Sequence, residues 1–150
     1  MATIEKHVVR ELVALDGDAS CAEAARLMSH HAIGAVAVRE RGHIVGMVTE
    51  RDLVTRVLAD GAPAGLPIRR AMRTDLPPVS PATSELECTA LMRDHVTRHL
   101  LVAEHGEVVG IISMRDVIRL MLDEKEWLIG QLQTFINGRD FPATTSTAAS

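Results

Sequence analysis

Tyrosine is absent from this chain, and its aromatic side chains are limited to Trp127, Phe135 and Phe141. A surface that reads single-stranded nucleic acid needs stacking rings beside a basic groove, and a formal net charge of −4 argues against both. Cysteine is nearly as scarce. Cys21 and Cys88 make no disulfide framework for a domain of this size. No apolar run approaches the roughly 20 residues of a membrane-spanning helix, and residues 1–10 lack a signal peptide's apolar core. No Ser-His-Asp or Cys-His arrangement falls where a repeat would place it, so neither catalysis nor a catalytic cofactor is expected. The chain reads as soluble and cytoplasmic, with no nucleic-acid or membrane partner. Its 150 residues, 47% of them hydrophobic, suffice for one domain with a proper core.

What the chain does have is an internal repeat at a spacing of 64 residues. Ten identities without a gap link residues 27–54 to residues 91–118, among them His31/His95, Gly42/Gly106, Gly46/Gly110, Arg51/Arg115 and Asp52/Asp116. Such a duplication means two copies of one supersecondary unit, too small to bury its apolar face alone. One domain with a pseudo-twofold axis and two related clefts follows.

Each copy has the same local grammar. Ser20-Cys21-Ala22-Glu23 and Ser84-Glu85-Leu86-Glu87 are capping-box patterns that start helices. The first helix is read as turning Ala25, Met28 and His31/Ala32 to one side, the second Leu91/Met92 and His95/Val96. Short apolar runs at 35–38 and 44–48, and again at 100–103 and 108–112, read as strand pairs joined by turns in which Gly42 or Gly106 supplies a positive φ. A second helix follows each pair, over 51–60 and from Arg115 onward, the first stopped by Gly61. A short strand precedes each unit near 12–15 and 76–79, and Ile68 and Met72 answer to Ile4 and Val8. The expected fold is mixed α/β (α+β): two pseudo-symmetric β-α-β-β-α repeats packed through their sheets, plus an extended C-terminal helix. Residues 1–61 form the first repeat, 62–67 a linker, 68–122 the second repeat, 123–138 the helix extension, and 139–150 a disordered tail.

Gly46-Met47-Val48-Thr49-Glu50-Arg51-Asp52 and Gly110-Ile111-Ile112-Ser113-Met114-Arg115-Asp116 stand at equivalent places in the two copies. In each, a hydroxyl and a carboxylate flank the start of a helix, where unpaired N–H groups and the helix dipole favour an anion. A carboxylate one turn in can accept from both hydroxyls of a ribose. The same spacing is also a capping box, which needs no ligand. Over residues 4–122 the chain resembles a tandem pair of cystathionine β-synthase (CBS) domains, a Bateman module.

The resemblance implies a stand-alone regulatory protein that binds AMP, ADP or ATP, with NAD and S-adenosylmethionine as other adenosine ligands, and shifts conformation or dimer arrangement for an unknown target protein to read. It also implies how the clefts are shared. Met47, Thr49 and Asp52 would meet Met72, Pro77, Thr97, Arg98 and His99, while Ile111, Ser113 and Asp116 would meet Val8, Val13, Ile33, Gly34 and Ala35. Arg98 would give the first cleft more positive charge, and Arg51 and Arg115 either reach phosphate or face outward. The family's proline at the start of the first long strand is missing from Gly34-Ala35-Val36 and from His99-Leu100-Leu101. A competing reading is a ligand-independent dimerisation scaffold with empty clefts.

Other signals are blander. His30-His31, His95 and His99 lack a completing ligand set for a metal, and the matched His31 and His95 fit packing. Cys21 and Cys88 lie in first turns of helices, where a thiol pKa can fall, but small buried side chains are the simpler account. Arg69, Arg70 and Arg73 read as a solvated face. Ile118, Met121, Leu128, Leu132 and Phe135 keep heptad spacing around Lys125, with Trp127 at the seam's edge. That helix either covers its own module or pairs with a second chain. The family resemblance favours a homodimer.

Overall fold

A computed structural model describes residues 2–137 of the chain; Gly138 and the expected tail at 139–150 lie outside them. Four helices start on reciprocal capping boxes. Ser20 and Glu23 open α1 (Cys21–His31), and Ser84 and Glu87 open α4 (Glu85–Asp94). Thr49 and Asp52 open α2 (Glu50–Asp52), and Ser113 and Asp116 open α5 (Met114–Ile136). In each box the side chains answer two amide groups that no helical carbonyl can reach.

The helices end with equal economy. After α1, Ala32 turns left-handed at φ 52° and the Ile33 N–H reaches back to the Met28 carbonyl at 3.0 Å. After α4, Val96 does the same at φ 51°, with the Thr97 N–H on Met92 at 2.9 Å. Both are Schellman endings on residues that lack glycine's freedom. The helix after Thr49 continues past Asp52 as a wider π-helical stretch, Leu53–Leu58, and stops at Gly61 (φ 66°) as expected. The buried face of α1 is Cys21, Ala24 and Met28, not the side read from sequence; Ala25, His31 and Ala32 are exposed. His31 is the last helical residue, exposed where the chain turns away at Ala32, which corrects the packing role given to it. In α4, Cys88 and Met92 are buried, while Val96 is 57% exposed.

Both hairpins use two-residue turns with positive φ at both centres, Arg41 (51°) and Gly42 (79°), then His105 (51°) and Gly106 (80°). That type I′ twist matches the twist of the strands. They join β2 (Ala35–Glu40) to β3 (His43–Thr49) and β4 (His99–Glu104) to β5 (Glu107–Ser113), each pair antiparallel with an irregularity at the same place, Val38/Arg39 and Val102/Ala103. In the first repeat β1 (Ala14–Asp16) adds in parallel to β2. In the second, the strand expected at 76–79 shrinks to one bridge, Val79 to Val102, held by the Val79 N–H on Leu101 (2.9 Å) and the Ala103 N–H on Val79 (2.8 Å). Pro77 and Pro78 occupy the positions of Val13 and Ala14 and have no N–H to give a ladder.

The two repeats exchange their opening segments. Ile68 opens the short helix α3 (Ile68–Ala71), and with Ala71 it is buried among Cys21, Ala24, Met28, Val36, Val38, Val48 and Val57 of the first repeat. Ile4, its counterpart, is buried among Cys88, Met92, Leu100, Val102, Ile112, Val117 and Leu120 of the second. Backbone bonds mirror the swap. Ile68 donates to Ala19 (2.8 Å) and Ile4 to Thr83 (3.0 Å). Met47 bridges Arg73 where Ile111 bridges Val9. Each isoleucine is fully enclosed, a burial of about 1.5–3 kcal/mol that each half owes to the other.

Candidate functional site

At both motif helices one carboxylate oxygen is already employed. Asp52 Oδ2 accepts from the Thr49 N–H and hydroxyl, each at 2.9 Å, and the Asp52 N–H donates to Thr49 Oγ1 at 3.2 Å. Asp116 Oδ2 accepts from the Ser113 N–H and hydroxyl, each at 2.8 Å. Oδ1 of neither carboxylate takes a hydrogen bond among the described residues. Capping and ligand binding are therefore compatible, because the cap uses one oxygen of each carboxylate. The two sites differ in depth: Thr49 and Asp52 are buried, whereas Ser113 and Asp116 are half-buried.

The segments that face these motifs come from the opposite repeat through the exchange. The Met47–Arg73 bridge lays Met72 and Arg73 against β3, and the Val9–Ile111 bridge lays Val8 and Val9 against β5. Glycine makes both approaches possible. A Cβ on Gly46 would stand 3.0 Å from Met72 Sδ and 3.2 Å from the Arg73 carbonyl oxygen. On Gly110 it would stand 2.7 Å from the Val9 carbonyl oxygen. Beside the first of these crossings lies a cleft of about 240 Å³ whose walls include Met47, Arg73, Thr74, Leu76, Pro78 and Leu101.

Arg73 is the functional candidate that sequence reading passed over. Its guanidinium donates to both oxygens of Asp75 (3.0 and 2.9 Å) and to the His95 carbonyl oxygen at 2.6 Å. The Arg73 bonds hold the Asp75 carboxyl down at about 2. Asp75 in turn raises the guanidinium's own pKa, helped by the field of Asp52. Arg73 thus stands in the cleft wall as one half of an ion pair with Asp75, within the field of Asp52. Its counterpart in the other copy is Val9, and that charged-for-apolar difference inside the repeat was the available signal.

The expected neighbours fall out unevenly. Met47 and Met72 come together, and Pro77 is exposed beside the cleft wall. Thr97 is buried, but its hydroxyl is spent on the backbone of His99 (3.1 and 3.3 Å). The Arg98 carbonyl accepts from the Met114 N–H at 2.8 Å, and the Gly34 carbonyl from the Glu50 N–H at 3.0 Å, so each strand entrance is tied to the motif helix of its own repeat. Arg98 itself is exposed, as are Arg51 and Arg115. The cation whose field does reach Asp52 is Arg73, and Asp75 already pairs with it.

His99 also departs from expectation. It sits between the two motif helices, against Gly34 of the first repeat, where an added Cβ would come 2.9 Å from its ring and 3.5 Å from Glu50 Oε2. Burial lowers its pKa against the pull of Glu50, Asp116 and Asp52. Val8, Val13 and Ile33 are half-buried and Ala35 is buried; Val8 packs on the core of the second repeat, Val13 and Ile33 on that of the first. Cys21 and Cys88 are buried thiols pushed up by desolvation, Cys88 to about 11, so neither is a reactive thiolate. Among the described residues no cluster of His, Cys, Asp and Glu could hold a metal ion, and no helix is long and apolar enough to cross a membrane.

Comparison with known proteins bears on this architecture directly. The CBS domain profile matches the chain twice, over residues 4–59 and 68–123. The CBS domain-containing protein YhcV of Bacillus subtilis is 30% identical over 117 residues, 78% of this chain and 84% of that protein. The CBS-domain containing protein ATU1752 from Agrobacterium tumefaciens superposes with a TM-score of 0.74 at 30% identity, covering 80% of this chain and 99% of that one. An uncharacterized conserved protein from Pyrococcus horikoshii gives 0.74 at 30% identity, over 80% of this chain and 92% of its own. Two matched repeats, interleaved through their opening segments and carrying the same hydroxyl-carboxylate helix start, are two CBS domains in tandem, and the chain belongs to the CBS domain family.

Proposed function

We propose that this protein is a regulatory module that binds an adenine nucleotide, AMP, ADP or ATP, at one or both motif helices. The observation that carries the reading is the pair of capping boxes that leave Oδ1 of Asp52 and of Asp116 uncommitted beside a helix N-terminus. Each offers an acceptor for ribose hydroxyls next to an anion site. The Asp52 side is also approached by Arg73, a cation paired with Asp75. A nucleotide held between Asp52 and the Met72–Arg73 segment touches both repeats. It shifts their relative arrangement by as much as its affinity for the two arrangements differs. Function of this kind requires no catalytic group in the chain.

Isothermal titration of ligand-stripped protein with AMP, ATP and NAD in parallel tests this. Saturable heat with one or two sites per chain supports the reading and ranks the ligands. Flat traces at concentrations that reveal a Kd of about 100 μM, near −5.5 kcal/mol, overturn it. Flat traces favour the scaffold reading, in which the satisfied capping boxes serve only to start two helices.

A further inference from the structure

One side chain answers to both motif helices, and its counterpart in the other copy has nothing to titrate. His99 stands opposite Ser113 in the β4–β5 register, where the first repeat pairs Ala35 with Thr49. Directly opposed side chains of an antiparallel pair share one face, with Cβ atoms about 5 Å apart. The imidazole therefore flanks the hydroxyl that caps α5 and donates to Asp116. Its far end reaches across to the first repeat. A Cβ placed on Gly34 would stand 2.9 Å from His99 Cε1, 3.3 Å from Nε2 and 3.5 Å from Glu50 Oε2. Gly34 leaves the space that the ring needs, and its carbonyl accepts from the Glu50 N–H at 3.0 Å.

Three carboxylates face this ring, Glu50 and Asp52 from α2 and Asp116 from α5, together with one cation, Arg98, from the approach to its own strand. Burial, the strongest influence, and Arg98 favour the neutral imidazole, whereas the carboxylates favour the imidazolium. The ring is neutral at pH 7, and one more anion beside it shifts the balance toward protonation. A nucleotide supplies that anion. With its ribose hydroxyls on Asp116 Oδ1, its phosphate lies toward the N-terminus of α5, beside Ser113 and so beside His99. We propose that His99 takes up a proton when a phosphate-bearing nucleotide binds at Ser113 and Asp116, so that nucleotide affinity rises as pH falls. This rests on the nucleotide reading given above. Linkage fixes the sign: a ligand that makes the proton bind more tightly is itself bound more tightly by the protonated protein, and the gain is lost as pH rises through the ring's value in the complex.

Calorimetric titration of the full chain with AMP and with adenosine, at about pH 6 and about pH 8, reads this linkage. The parent should bind AMP about fivefold more tightly at the lower pH. His99→Gln, which keeps a polar side chain but no titration, should lose that gain. The AMP phosphate itself titrates near a pKa of about 6, and the comparison with His99→Gln removes its share. Adenosine has the same base and ribose without the phosphate, so its affinity should not rise toward low pH. Proton NMR of the parent, with the His99 ring identified by its loss in His99→Gln, should show the ring titrating at higher pH in the AMP complex than in the free protein. The same pH response in His99→Gln, a ring titration unmoved by AMP, or an equal gain for adenosine overturns the proposal and leaves the nucleotide reading standing. Failure of AMP and adenosine alike to bind the parent at either pH overturns both.

Discussion

Replacing Gly110 by alanine tests the exchanged segments at their tightest point. The new Cβ would lie 2.5 Å from Val8 Cγ1 and 2.7 Å from the Val9 carbonyl oxygen. The first contact can yield by rotation, but the second is backbone and is fixed by a two-way bridge, Val9 N–H to Ile111 at 2.9 Å and Ile111 N–H to Val9 at 3.0 Å. Overpacking of this kind costs about 1–3 kcal/mol, and losing the bridge costs about 1 kcal/mol per hydrogen bond. Alanine returns about 0.4–1 kcal/mol by stiffening the unfolded chain. The net expectation is a loss of about 2–3 kcal/mol, a large share of a small domain's stability. Gly46→Ala is the internal control. Its closest neighbour, Met72 Sδ at 3.0 Å, ends a flexible side chain, and the Arg73 carbonyl oxygen stands at 3.2 Å, so the loss should stay below about 1 kcal/mol. Urea unfolding followed by circular dichroism, with m-values compared, gives both numbers, and hydrogen exchange at Val9 and Ile111 shows whether the bridge opens. Equal costs at the two glycines, or a Gly110→Ala variant within about 0.5 kcal/mol of the parent, would refute the account of the crossing.

Three further outcomes follow from named contacts. Asp52→Asn keeps an oxygen for the Thr49 cap but loses the carboxylate's charge; folding stability should fall by less than about 1 kcal/mol, while nucleotide affinity drops at least about tenfold, read by calorimetry. Val96 holds φ 51° with a branched, 57% exposed side chain, so Val96→Gly should relieve left-handed strain of about 1–2 kcal/mol, less glycine's entropic cost of about 0.5–1 kcal/mol, and raise the urea midpoint. Desolvation, then its hydrogen bond to Glu124, raises the Glu85 pKa above 4.5. The folded state therefore takes up that proton more readily than the unfolded one, and the favourable contribution is lost as pH rises through the folded value. Glu85→Gln should be more stable than the parent at pH 7, with the advantage vanishing below pH 4.5, as parallel denaturation series would show.

Most of the architecture was legible because it is local and stated twice. The four capping boxes, both glycine turns and the stop at Gly61 are short-range chemistry, and a spacing of 64 residues let each copy vouch for the other. The misreadings came where neighbours in space decide. Periodicity put His31 with the core, but it falls on the last helical residue, where the left-handed turn at Ala32 leaves it exposed. Pro77 and Pro78 removed a strand whose partner was otherwise in place. At the site, the motif residues were readable because their spacing is their chemistry. Arg73 was not, because its role depends on a backbone crossing to Met47 and on Asp75 holding its guanidinium.

The interleaving of Ile4 and Ile68 has a bearing on ancestry. A single ancestral unit would have lacked the isoleucine that completes its core, and could gain it only by trading arms with an identical neighbour. Such a unit exists folded only as a pair, at the mercy of its own concentration. Joining two genes through 62–67 turns that encounter into an intramolecular one, at an effective concentration on the order of millimolar. Once tethered, the copies are free to differ, and one crossing carries Val9 where the other carries Arg73. On this view fusion released the symmetry that a homodimer must keep, and two unlike sites became possible in one small chain.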